Sequence, residues 1–159
     1  MTDTATYPSD EAPAFPGVTL PRPESWEVLP VPAALIALGK SGYPANQFQP
    51  NVVVTNQRGI GTTLEEAAAA TAEALTGSPE WEEAGRETIE GLGGHQVFRI
   101  EGAFRHPQAG TVYQAAVITV VERGPYTDLV QLVGSCSASQ VADCLPEIRT
   151  ILKDATVTG

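Results

Sequence analysis

Histidine and cysteine are the side chains that most often perform acid–base, nucleophilic or metal chemistry, and this chain of 159 residues has two of each. His95 and His106 stand at the two ends of one extended run, separated by an odd number of positions, so a strand sends them to opposite faces. They make no shared metal site. Neither belongs to a pattern such as His-Glu-x-x-His, and the separation of Cys136 from Cys144 does not match zinc-finger spacing, so no metal site is expected. The two cysteines leave three readings open: small core residues, a disulfide stapling a strand end to the next helical turn, or metal and redox chemistry. Ser135 and Asp128 complete a nominal triad with a histidine, but Ser135 is not in a Gly-x-Ser-x-Gly elbow.

A second candidate is Gly59-Ile60-Gly61-Thr62-Thr63, which follows a strand and precedes a helix, the setting in which backbone amides cradle phosphate. Leu64 stands where the dinucleotide fingerprint needs its third glycine, and no Walker lysine follows. Glu65 and Glu66 occupy the helix start where phosphate would sit, and the downstream strands are hairpins rather than parallel βαβ units. The segment reads as a strand-to-helix turn. The third candidate is the trio Arg99, Glu101 and Arg105, which shares one face of an alternating strand. That face reads as solvated, carrying cross-strand ion pairs or a docking surface for an acidic partner. A binding or accessory protein without catalytic machinery or cofactor is therefore expected, and the alternative is a small hydrolase or other enzyme using His95, His106 or Cys136.

The elements that must position these residues centre on three apolar runs. From His95 to Arg105, Gln96, Phe98, Ile100 and Phe104 alternate with Val97, Arg99, Glu101, Ala103 and Arg105, the period of a half-buried strand. From Thr111 to Arg123 both alternating sets are apolar, and Tyr126 to Cys136 repeats that pattern. The turns at His106-Pro107-Gln108-Ala109-Gly110 and Gly124-Pro125 are too short for a crossover helix, so the strands pair antiparallel. An antiparallel sheet that is apolar on both faces needs cover on both.

One cover is the segment Ser139 to Ala155, where Val141, Leu145, Ile148, Leu152 and Ala155 form a helical stripe. Pro146 interrupts it and predicts a short turn from Ser139 to Cys144, with the main helix beginning near Pro146. The other is the alanine-rich helix opened by Thr62-Thr63-Leu64-Glu65-Glu66, a capping-box pattern, and closed by Gly77 and Pro79. Earlier in the chain, Trp26 to Leu29 reads as a strand, Val31 to Leu38 as brief helical or irregular cover, Gly39 to Ala45 as loop and Gln47 to Asn56 as a strand. Ala84 to Ile89 supplies one more strand. Residues 1–17, polar and aperiodic, read as a disordered tail, and 18–159 as a single domain.

With 9 Lys plus Arg against 19 Asp plus Glu the net charge is −10 and the isoelectric point about 4.5. Such a chain repels phosphate backbones, so nucleic acid is not an expected partner. No apolar run spans a bilayer, and the start, Met-Thr-Asp-Thr-Ala-Thr, lacks the basic and apolar regions of a signal peptide. Cytoplasmic residence is the expectation, or the cell envelope if a signal sequence has been removed.

Several stretches together resemble a known family. The lead-in Val18-Thr19-Leu20-Pro21-Arg22-Pro23-Glu24-Ser25-Trp26, the extended Asn51-Val52-Val53-Val54-Thr55, the helix start Thr63-Leu64-Glu65-Glu66-Ala67, the turn Gly91-Leu92-Gly93-Gly94, the long hairpin strands and the closing Ile148 to Ala155 are similar to the actinobacterial LpqN/LpqT lipoproteins. More distantly they resemble the PsbP-like sandwich. The resemblance implies an α+β fold, an α/β/α sandwich around a predominantly antiparallel sheet, and a non-catalytic module that holds a protein partner or a small apolar ligand.

Overall fold

The computed structural model describes residues 2–159. These form, in chain order, β1 (Val18–Thr19), β2 (Trp26–Val28), β3 (Ile36–Lys40), β4 (Asn51–Gly59), α1 (Leu64–Thr76), β5 (Glu82–Gly91), β6 (His95–His106), β7 (Gly110–Arg123), β8 (Tyr126–Ser137), α2 (Val141–Asp154) and β9 (Thr156–Val157). Seven strands make one sheet in the order β2-β3-β4-β8-β7-β6-β5, while β1 and β9 pair separately. Every pairing is antiparallel. The short turns after β6 and β7 impose this, because they leave no chain for a crossover.

The doubly apolar β7 lies inside the sheet, with a core on each side. Ala115, Val117 and Val121 join Val130, Leu132 and the α2 residues Leu145, Ile148, Ile151 and Leu152. Ala116 and Ile118 point the other way, to Phe98, Ile100, Leu129 and the α1 alanines Ala67 and Ala72. The period of two therefore divides one strand between two cores, and the sandwich is α2, sheet, α1. Close approach of α2 depends on Gly134, where a β-carbon would stand 2.3 Å from Ile148 Cγ2. Thr63 caps α1, its hydroxyl accepting from the Glu66 backbone N–H at 3.2 Å.

Two expectations are corrected. Pro146 lies inside one continuous α2 and does not begin it; Ala138–Gln140 forms a 3-10 turn beforehand. The proline costs α2 one interior hydrogen bond, and the buried row Leu145, Ile148, Ile151 and Leu152 outweighs that loss, at about 1.5–3 kcal/mol for each large side chain. The second correction concerns Val31 to Leu38. Its latter half opens β3, which inserts between β2 and β4 with Ala37, Leu38 and Gly39 buried. A short continuous apolar run has no periodicity to separate buried strand from irregular cover.

The N-terminal segment is tied to one end of the sheet. Arg58 on β4 forms a bidentate pair with Asp128 on β8, donates to the carbonyl oxygens of Pro13 and Ala14, and lies 4.6 Å from each of the Phe15 and Tyr126 ring centres. The Asp128 side chain is wholly buried. Burial would raise its pKa, but hydrogen bonds from Arg58 and Asn56 outweigh that and hold the carboxyl below the ordinary aspartate value.

Candidate functional site

A pocket of about 360 Å³ opens between α2 and the β5–β6 side of the sheet. Its lining combines apolar side chains, from the buried Leu92, Val97, Val117 and Leu152 and the exposed Ile89, with a charged rim from Glu87, Arg99, Arg149 and Lys153 above the buried Glu101. The arrangement follows from strand parity. Val97, Arg99 and Glu101 alternate on the β6 face that carries Ala115 and Val117 on β7, which is the face α2 covers. The hairpin register sets Glu87 on β5 opposite Arg99. From α2, Arg149 and Lys153 reach the same rim, one helical turn apart.

Four of these charges, Glu87, Arg99, Glu101 and Arg149, are linked in series, while Lys153 makes no salt bridge among the described residues. Arg99 donates to Glu87 Oε1 through Nε at 3.0 Å and Nη2 at 2.8 Å, and its Nη1 stands 3.1 Å from Glu101 Oε1. Arg149 donates to Glu101 through Nε at 3.2 Å and Nη2 at 3.0 Å, and the Tyr113 hydroxyl donates to Glu101 Oε2 at 3.0 Å. Glu101 is only 5% exposed. Its burial would raise the pKa, yet the hydrogen bonds from Arg149 and Tyr113, with the nearby guanidinium charges, hold the carboxyl below the ordinary glutamate value. Burial and the same carboxylate raise the Tyr113 pKa.

The face expected to be solvated is closed over only at Glu101; Arg99 stays part-exposed and makes the expected cross-strand ion pair, with Glu87. Arg99 and Glu101 line the pocket, whereas Arg105 is exposed at the strand end and meets exposed Glu80 at 3.8 Å. Alternation along β6 identified the shared face but could not show that α2 lies over it. Glu87, Arg149 and Tyr113 were missed for the same reason, although the Gly91–Gly94 turn already places Glu87 across from Arg99.

The residues of the enzymatic alternative occupy separate places. The His95 Nε2–H donates to the Val157 carbonyl oxygen at 2.8 Å, and His106 Nδ1 accepts from the backbone N–H groups of Gln108 and Ala109, both at 3.2 Å. Cys136 and Cys144 are free thiols and buried. Burial, with the neighbouring Cys144, pushes the Cys136 thiol up to about 11, which leaves little thiolate at neutral pH. Cys144 Sγ lies within hydrogen-bond distance of the Tyr43 hydroxyl, at 3.0 Å. Gly61 in the strand-to-helix turn has φ of +70°, and the Thr62 N–H donates to Thr127 Oγ1 at 3.1 Å. Among the described residues no three His, Cys, Asp or Glu side chains converge as a metal site.

A family model described as "Probable lipoprotein LpqN" matches residues 4–158. Among solved structures, the crystal structure of LpqN involved in cell envelope biogenesis of Mycobacterium tuberculosis aligns with a TM-score of 0.75 at 18% identity, covering 92% of this chain and 86% of that one. The solution structure of cyanobacterial PsbP from Synechocystis aligns with a TM-score of 0.54 at 12% identity, covering 98% of each chain. At these identities the likeness shows the fold, an α+β sandwich of the PsbP-like kind. No curated protein sequence matches the chain.

Proposed function

The chain belongs to the family of the lipoprotein LpqN, and from that premise we propose that it is a non-catalytic binding or accessory protein of the cell envelope. It holds a small apolar ligand, or an apolar side chain of a protein partner, in the pocket beneath α2. The observation that carries this reading is the pocket itself, about 360 Å³, lined by apolar side chains and by the linked charges Glu87, Arg99, Glu101 and Arg149. The solved relative described as involved in cell envelope biogenesis supports the location. No helix among the described residues is long and apolar enough to cross a membrane. The separate structural engagements of His95, His106 and Cys136 weigh against the enzymatic alternative.

Titration with a neutral, environment-sensitive apolar dye tests the reading. Ile89 is 40% exposed and lines the pocket, so Ile89→Glu adds a charge to the wall at little cost to folding. The native chain brightens the dye, and Ile89→Glu weakens its binding by about tenfold, near 1.4 kcal/mol. Equal brightening by both proteins, or none by either, sinks the proposal.

A further inference from the structure

The pocket opens at the margin of the sheet, and that margin is a free one. β5 is the last strand in the sheet order, paired with β6 on one side only. An unpaired margin presents backbone N–H and C=O groups to any extended chain that approaches. Its one irregularity lies between Glu83 and Gly85, and from Arg86 to Gly91 the register is continuous. Exposed Ile89 sits within this regular stretch, on the side of the sheet where the pocket opens.

Charge selects what can pair there. β5 carries Glu82, Glu83, Glu87 and Glu90 against a single Arg86. Arg86 is held by Glu83, and Glu87 by Arg99, while Glu82 and Glu90 make no salt bridge among the described residues. A second copy of the chain would set glutamates against glutamates, in a protein of net charge −10. A cationic strand would find complementary carboxylates along the same edge.

We propose that the free edge of β5 accepts an extended, lysine- or arginine-bearing segment of a partner polypeptide as an added strand, with an apolar side chain of that segment entering the pocket beside Ile89. This deepens the proposed function and rests on it, because the pocket's occupant becomes a peptide side chain. A neighbouring strand lies about 4.8 Å from β5, close enough for its α2-facing side chains to reach the opening.

The probe is a synthetic peptide of alternating lysine and valine, compared with a copy N-methylated at alternate residues and a copy with glutamate in place of lysine. The lysine peptide binds the full chain with a Kd of about 10–100 µM by fluorescence anisotropy and slows hydrogen exchange of the β5 amides. The methylated and glutamate copies, and the variant E82K/E90K with the original peptide, each bind about tenfold or more weakly. Equal binding of the methylated copy, or unchanged β5 exchange, overturns the proposal. If the apolar dye still enters the pocket while the lysine peptide fails to bind, strand addition is wrong and the binding reading stands; if both fail, both are wrong.

Discussion

Glu101 on β6 and Arg149 on α2 meet through two hydrogen bonds, 3.2 and 3.0 Å long, that join the sheet to the helix covering it. The Glu101 side chain is 6% exposed and that of Arg149 is 53% exposed, so the carboxylate depends on the pair far more than the guanidinium does.

Removing the cation therefore harms the protein more than removing both partners. Arg149→Ala leaves Glu101 with Tyr113 and Arg99 and destabilises the chain by about 1–3 kcal/mol, below the full cost of a broken buried pair because Arg149 is half in solvent. The double variant Arg149→Ala/Glu101→Gln recovers part of the loss. Urea unfolding of the two single variants and the double gives the coupling directly. Strict additivity refutes it.

Acid stability follows from two depressed carboxyls. Glu101 and Asp128 both have folded pKa values below their ordinary ones. Such groups stabilise the fold above the unfolded-state pKa, about 4, and that contribution is lost as pH falls through the folded values. The urea midpoint should stay nearly level from about pH 7 to 5 and drop below about pH 4. Asp128→Asn starts from a lower midpoint and shows a shallower drop. An acid slope unchanged by that substitution would rule Asp128 out as a source.

Pro146 offers a gain. It is exposed on α2 and interior to the helix, so Pro146→Ala restores a backbone donor without losing core contact. The expected stabilisation is about 1–3 kcal/mol, read as a higher Tm by circular dichroism. A lower Tm would show that the proline holds α2 in a bend that packing requires.

The thiols should be silent in the native state. Cys136 and Cys144 are both 0% exposed, and the Cys136 pKa lies near 11. Iodoacetamide at pH 8 should leave the folded chain unmodified and label both cysteines in denaturant without reductant. Labelling only after reduction would establish a Cys136–Cys144 disulfide instead.

Much of the architecture was legible along the chain because each strong signal is local. The parity of Thr111 to Arg123 required two covering layers, the short turns required antiparallel pairing, and the run Thr62 to Glu66 announced the start of α1, with the structure choosing Thr63 over Thr62 as its cap. The weaker readings failed where local signals compete with packing: Pro146 disfavours a helix that the buried α2 stripe enforces, and Ile36 to Lys40 carries no period to mark it as the strand beside β4.

The site divides in the same way. Sequence by itself determined that Arg99 and Glu101 share a face, since side chains on a strand alternate whatever surrounds them. Only the tertiary structure decided that α2 covers this face, turns an expected wet surface into the wall of a pocket and brings Arg149 to Glu101. Residues distant in the chain meet through the packing of whole elements, and a local period carries no record of which element arrives.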